Sequence, residues 1–488
     1  MSRSRSNDAA ETFRNLDWFT VVIYLMMVLA GMVSIYAASY DFDNASMLSG
    51  DEFSGKQLRW IGLSLMLGFV LLLIDARMYE TYAFPIYAAV MVLLLITPFV
   101  AHDIKGSRSW ITFGPMSLQP AEFAKFATAL ALAKLFSGYH FVLNAKFSNY
   151  IRAISIILLP VVLILAQNET GSALTFMALF FVLYREGMSG LVLFAALFAV
   201  VIFVVGIKFT ETMIMGIPSG EFAVFVMIVL VMIGMTVIYN KRADVTRNIV
   251  VGFAGCALVL WILDLCGVAV PALPVILSVI GIAGVYLSVE ALRSHRPKLF
   301  IPVATAALSV AFLFSVNLAF DHLQPHQQMR IKVALGIVED LRNAGYNVNQ
   351  SKIAIGSGGL LGKGFLNGTQ TKLKYVPEQH TDFIFCTIGE EEGFVGSMIV
   401  MLLFLGLILR VISIGERQPT TFGRVYAYSV ASYFIFHFCI NIGMVIGLCP
   451  VIGIPLPFFS YGGSSLWGFT ILLFILLKID ASRKSVLS

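Results

Sequence analysis

Apolar runs long enough to cross a bilayer recur along almost the whole of this 488-residue chain, from Val21 to the residues before its polar tail. A run of roughly 17 to 25 such residues crosses a hydrocarbon core of about 30 Å as a helix. In lipid only a helix or a closed barrel satisfies its own backbone. Here the runs are continuous rather than alternating, so helices carry the crossings. Composition agrees: 58% of residues are hydrophobic and 12% charged, and the mean hydropathy is +0.87. The expected fold class is an all-α polytopic membrane protein with about fourteen transmembrane helices. They fall near residues 18–38, 57–75, 82–101, 120–136, 151–166, 173–184, 191–208, 221–239, 249–265, 269–290, 299–319, 383–410, 424–447 and 465–477.

The links between runs orient the chain. With the N-terminus in the cytoplasm, every strongly basic link lies inside: Arg77, Lys146 and Arg152, Arg185, Lys241 to Arg247, Arg293 to Lys298, Arg410 to Arg424, and the C-terminal tail. The outer face then receives residues 102–119, with Trp110, Ile111 and Phe113 as interfacial anchors, the long 321–382 segment, and the Pro455–Ser465 loop. The formal charge of +5 follows from the basic links and gives no reason to expect a nucleic-acid partner. Five cysteines without CxxC or Cys/His spacing imply neither a disulfide framework nor a metal knuckle. The polar, basic N-terminus lacks the short apolar core of a cleaved signal.

Chemistry-bearing residues concentrate in a few stretches. PEQHTDFIFCTIGEE places His380, Thr381 and Asp382 at the last polar step before an apolar helix. Asp382 has two readings there, an N-cap of a helix starting at Phe383, worth about 1 kcal/mol, or a functional carboxylate where water meets lipid. Glu390, Glu391 and Glu392 follow on the same helix, about 12 to 15 Å deep at 1.5 Å per residue, and need partners, water or protons. Glu122 and Lys125, three apart, share one helix face and neutralise each other, either as a structural pair or as part of a site.

Within the long outer segment, IKVALGIVEDLRN has apolar residues at near-helical spacing and suits a helix lying flat on the membrane. The run GSGGLLGKGFLNGTQ reads as a loop wrapped closely around a neighbour, because no strand or Walker spacing accompanies its glycines. In the last loop, Pro455 and Pro457 stiffen the backbone, Gly462 and Gly463 allow close approach, and Ser464 or Ser465 is placed to cap the final helix.

Four of these stretches, LQPAEFAK, QSKIAIGSGGLLGKGFLNGTQ, PEQHTDFIFCTIGEE and IPLPFFSYGGSS, resemble the SEDS family of shape, elongation, division and sporulation proteins. The likeness covers residues 12–210 and 299–482, and the run from Asn441 to Ser465 resembles the elongation branch. It implies a peptidoglycan glycosyltransferase that polymerises lipid II at the outer face of the cytoplasmic membrane, with both termini cytoplasmic. The family's essential loop aspartate falls on Asp382, its glutamate and lysine pair on Glu122 and Lys125, its loop tryptophan on Trp110, and its last motif on Ser460 to Ser465. The chemistry suits that assignment. Forming a glycosidic bond needs a base for a sugar hydroxyl, and a lipid pyrophosphate leaving group needs cations or a divalent metal, Mg or Mn.

The expected site is Asp382 as catalytic base, with Glu122, Lys125, Trp110, Gln119, Lys56, Lys363, His380, Ser464 and Gly463 binding substrate and no metal ligands assigned. Arg330 and Lys352 are further cation candidates. A class B penicillin-binding transpeptidase and the elongation machinery are the implied partners, docking on the spans at 383–410 and 424–447. The family has ten spans, so about four are inserted, most of them within 211–298. The expected organisation is a cytoplasmic N-terminus at 1–17, a membrane core at 18–210, inserted helices at 211–298, a helix at 299–320, an outer loop at 321–382, the second core half at 383–480 and a tail at 481–488. Several positions depart from the family: Asn168 stands where a proline is usual, Glu169 replaces a shorter acid, Ser109 precedes Trp110 where an arginine is usual, and Glu392 replaces an apolar residue. A lipid II flippase and a catalytically silent transpeptidase scaffold are the rival readings.

Overall fold

The computed structural model describes residues 12–40, 52–104, 106–114, 116–210, 212–240, 243–266, 271–323, 325–338 and 345–483. The helices used below are α1 (Trp18–Ser39), α2 (Phe53–Leu73), α3 (Ala83–Val100), α4 (Pro120–Phe136), α5 (Phe147–Leu165), α6 (Thr170–Arg185, with a 3-10 turn at Phe176–Ala178), α7 (Gly190–Lys208), α8 (Ser219–Asn240), α9 (Ala243–Leu265), α10 (Ala272–Arg293), α11 (Phe300–His322), α12 (Tyr346–Gly358), α13 (Ile384–Glu391), α14 (Gly393–Glu416), α15 (Thr421–Val445) and α16 (Gly463–Ala481). Among the described residues, 12 helices are long and apolar enough to cross a membrane.

The expected count of about fourteen is met only if α4 and α6 are added, and both fall short. At 17 residues, α4 reaches about 26 Å at 1.5 Å per residue, and α6 is interrupted by its 3-10 turn. Their shortness is compatible with the bundle interior. Most of α4 is buried, including the whole run Ala127–Ala133, so protein rather than lipid surrounds it.

A second correction concerns the span expected over 383–410. The chain breaks at Glu392, between α13 and α14, and Gly393 adopts a φ of +64°. That break lets Gly393 press against the Gly362 amide of the glycine-rich loop, where a Cβ would collide. With 24 residues, α14 crosses about 36 Å alone, so Glu390 to Glu392 sit at its head rather than two or three turns deep. The glycine-rich stretch does wrap a neighbour, as expected: Gly364 N donates to Glu391 O at 2.9 Å and Phe394 N to Gly359 O at 2.9 Å.

Residues 102–118 add a small departure from all-helical structure, a three-stranded antiparallel meander of β1 (His102–Ile104), β2 (Ser107–Phe113) and β3 (Met116–Leu118). Trp110 pairs with His102 and Ile111 with Leu118. Alternation along β2 buries Ser109 and Ile111 while Thr112 stays exposed.

The chain forms two compact units, Met1–Met188 with Leu341–Ser488, and Ser189–Asp340. In the first, α16 is the central element, 89% of its apolar window being buried. Tyr24 packs edge-on against Phe458 and Phe474 at centroid distances of 5.1 and 5.3 Å. One end of this unit is closed by ion pairs: Arg410 grips Asp17 through two nitrogens at 3.0 and 2.6 Å, and Arg424 grips Glu186 at 3.0 and 2.9 Å. Arg417 pairs with Asp480 in the same manner. The second unit is α7 to α11 around Phe225, Ile228, Leu287 and Leu313, where Asn317 donates to Glu221 at 2.8 Å. Part of the expected flat helix is present as Pro325–Ala334, and Leu341 of that pattern lies outside the described residues.

Candidate functional site

Asp382 lies in a turn, not at a helix cap. Thr381 N and Phe383 N both donate to Glu378 O, at 3.1 and 3.2 Å, and α13 starts at Ile384 with Phe383 as its N-cap. The capping role therefore does not hold, because the turn delays the helix by one residue. Two bonds hold this turn against the last loop: Tyr461 N donates to His380 O at 2.8 Å, and Asn441 Nδ2 donates to Asp382 O at 2.8 Å. Gly453, at φ +77°, lies so close that a Cβ there would stand 3.4 Å from Asp382 Oδ2.

Beside the turn opens a cleft of about 180 Å³, lined by Lys56, Arg59, Trp60, Trp110, Thr381, Tyr461, Gly462 and Gly463. Lys56 and Arg59 are three apart on α2, so both charges reach one face. The His380 ring stacks on Phe53 at 4.2 Å and leans on Tyr461 at 5.9 Å. Gly463 lies against Trp60, where a Cβ would collide with the indole. Of the expected substrate-binding residues, the structure brings Lys56, Trp110 and Gly463 to the cleft lining, with His380 next to it.

The others are placed differently. Ser464 does not cap α16, whose N-cap is Gly462. Its hydroxyl accepts from Gln119 N and donates to Ser117 O, both at 3.0 Å, and Gln119 Nε2 reaches Ser172 at 3.2 Å. These bonds sew β3 to α16. Glu122 and Lys125 form the expected pair at 2.7 Å, with side chains 3% and 1% exposed. Lys125 Nζ also lies 3.0 Å from His437 Nε2 and 4.7 Å from the Phe469 ring centroid. Lys363 is committed to Glu390 at 2.6 Å. Lys352 packs along Gly447, and the Arg330 side chain lies outside the described residues.

Glu390 is the most fully bonded carboxylate of the site region. Its oxygens accept from Lys363 Nζ at 2.6 Å and from the backbone N–H groups of Thr369, Gln370 and Thr371 at 2.7, 2.8 and 2.9 Å. Burial alone would raise its carboxyl, but the Lys363 ammonium and these amides outweigh burial and pull it down to about 2. Glu391 pairs with Lys372 at 3.6 Å, both almost fully buried. Burial moves each toward its neutral form, Glu391 up and Lys372 down, and their mutual attraction opposes the shift. The acid at Glu169 is engaged as well: its Oε2 accepts from Ser107 and Ser109 at 2.9 and 3.1 Å. The short serine and the long acid thus meet, which ties the strand carrying Trp110 to the α5–α6 hairpin.

Among the described residues no cluster of three or more His, Cys, Asp or Glu side chains is placed to hold a metal ion. Sequence reasoning did not single out Arg59, Trp60, His437, Asn441 or Tyr461 as site residues. Arg59 carried a usable signal in its i+3 spacing from Lys56, and Tyr461 in its place within the Ser460 to Ser465 motif.

Residues 17–216 and 214–485 match the cell cycle protein family FtsW/RodA/SpoVE. The chain belongs to that family. Its relatives include the peptidoglycan glycosyltransferase RodA of Treponema pallidum, 29% identical over 478 residues covering 96% of this chain and 98% of the relative. The peptidoglycan glycosyltransferase MrdB of Escherichia coli K12 is 28% identical over 471 residues, covering 96% of this chain and 95% of the relative. A solved chain from work on polymerization and crosslinking by a peptidoglycan synthase complex shares the fold, with a TM-score of 0.59 at 23% identity over 96% of this chain and 98% of that one. The turn of Asp382 and the loop of Gly453 to Ser465 both fall inside the FtsW/RodA/SpoVE match.

Proposed function

We propose that this chain is a peptidoglycan glycosyltransferase that polymerises lipid II at the outer face of the cytoplasmic membrane, with Asp382 as general base. The observation that carries the reading is the meeting, at one cleft, of the turn bearing Asp382, two cations and two tryptophans. In the reaction, a sugar hydroxyl of one lipid-linked disaccharide attacks the anomeric carbon of the other. Asp382 takes the hydroxyl proton, the bond from that carbon to the pyrophosphate breaks, and the lipid pyrophosphate leaves with the electron pair. Lys56 and Arg59 meet the charge that develops on the leaving group, and arginine adds a planar fork suited to phosphate oxygens. Trp110 and Trp60 supply apolar faces for the sugar rings. Both polyprenyl tails reach the cleft through lipid, which accounts for a site built from membrane helices.

The finer assignments belong to the same proposal. Both termini are cytoplasmic, α4 and α6 cross within the bundle to give fourteen crossings, and the extra helices of 211–298 are additions to a core of ten. The chain serves cell elongation beside a class B penicillin-binding transpeptidase seated on α14 and α15. Relatives named for peptidoglycan synthesis support the reaction class, and a similar fold in a peptidoglycan synthase complex supports the partner.

The test is purified full-length protein given lipid II without another synthase. Glycan strands are expected, and Asp382→Asn is expected to abolish them. Labelled lipid II crossing vesicles without being joined would favour a flippase. Neither joining nor transport, with a transpeptidase still recruited, would favour a scaffold.

A further inference from the structure

We infer that His437 and Asn441, one turn apart on α15, are positioning residues that fix Asp382 against the last loop. The inference rests on the reading of Asp382 as the base. Asn441 is fully buried, and its one amide nitrogen serves two carbonyls, Asp382 O and Ile454 O, each at 2.8 Å. An amide nitrogen has two hydrogens, so both are used, and a single side chain fastens the Asp382 turn to the loop.

His437 holds the next residue of that loop. Its Nδ1 lies 3.1 Å from Pro455 O and its Nε2 lies 3.0 Å from Lys125 Nζ. A carbonyl can only accept and an ammonium can only donate, so one arrangement satisfies both: Nδ1 carries the proton and donates to Pro455, while Nε2 accepts from Lys125. Lys125 is itself held by Glu122 at 2.7 Å. Two successive loop residues are thereby fixed, Ile454 by Asn441 and Pro455 by His437, next to Gly453, where a Cβ would stand 3.4 Å from Asp382 Oδ2. Glu122 and Lys125, sealed from the cleft by burial, act on the site through this chain rather than by touching substrate. Misplacing a reacting group by about 1 Å costs on the order of 100-fold in rate, so the clamp governs kcat more than KM.

The experiment compares lipid II polymerisation and amide hydrogen exchange in the purified full-length chain. Asn441→Asp keeps the side-chain shape and loses both donated bonds. It is expected to lower kcat on the order of 100-fold with KM within about threefold, and to speed exchange over residues 451–460. At position 437, His437→Asn keeps an N–H near Nδ1, whereas His437→Gln reaches only the Nε2 position. The Asn variant is expected to keep more activity than the Gln variant, an order that misfolding common to both would not produce. Parent kcat in Asn441→Asp, unchanged exchange over 451–460, or a Gln variant equal to the Asn variant would each overturn the inference. Asp382→Asn is measured alongside. Polymerisation at the parent rate there would remove the base reading itself, and the exchange response would still decide whether the clamp exists.

Discussion

Glu122 and Glu390 are both buried carboxylates facing a lysine, yet their surroundings differ. Glu390 accepts from Lys363 and from three consecutive backbone amides, so both its oxygens are engaged and the bonds close on the loop that supplies them. Glu122 engages Lys125 through Oε1, while Oε2 has no hydrogen-bond partner among the described residues. Its network leads outward, through Lys125 and His437 to Pro455. The first arrangement fixes a loop in place. The second transmits the position of a membrane helix to the rim where Asp382 sits.

The difference predicts unequal responses to losing the lysine. Lys125→Met strands a buried carboxylate, and breaking such a pair from one side costs about 3 to 5 kcal/mol, seen as a lower melting temperature in detergent. Adding Glu122→Gln should restore most of that loss, since removing both charges is far milder than removing one. A double variant as unstable as Lys125→Met would break the comparison.

Glu390→Gln comes next. An amide nitrogen would face backbone donors where a carboxylate oxygen now accepts, costing about 1 to 3 kcal/mol and loosening exchange at Thr369 to Thr371. The same anchor has a pH signature. A carboxyl held near 2 in the fold, against an ordinary value of 4.5, contributes stability in full above 4.5 and loses it as pH falls through about 2. Protection of the Thr369 to Thr371 amides, taken relative to their intrinsic exchange at each pH, should therefore fall over that window in the parent and stay flat in Glu390→Gln. The smallest effect is expected from Lys363→Met. Lys363 is partly exposed and the three amides remain, so about 1 kcal/mol is lost. A loss as large as that of Lys125→Met would erase the distinction.

Much of this was readable in the residues. Hydropathy placed the helices because lipid demands long apolar runs, and three-residue spacing placed Glu122 beside Lys125 because a helix turns in 3.6 residues. The partners of Glu390 were not readable. They come from a loop some twenty residues away, and helix periodicity says nothing about such distances. The break at Glu392 lay within a stretch expected as one span, and Glu390 to Glu392 followed by Gly393 were its traces. His437 looked like any histidine on an apolar helix, and its role emerges only when α4 and the last loop arrive on either side. The meander at 102–118 had left a signal, the β-favouring run Trp110 to Phe113 bounded by Gly106 and Gly114.

The most direct measurement is the rate of glycan-strand formation from lipid II by purified parent protein and by Asp382→Asn at matched folding. The account predicts strands from the parent and none from the variant. Strands made by Asp382→Asn at the parent rate would contradict it.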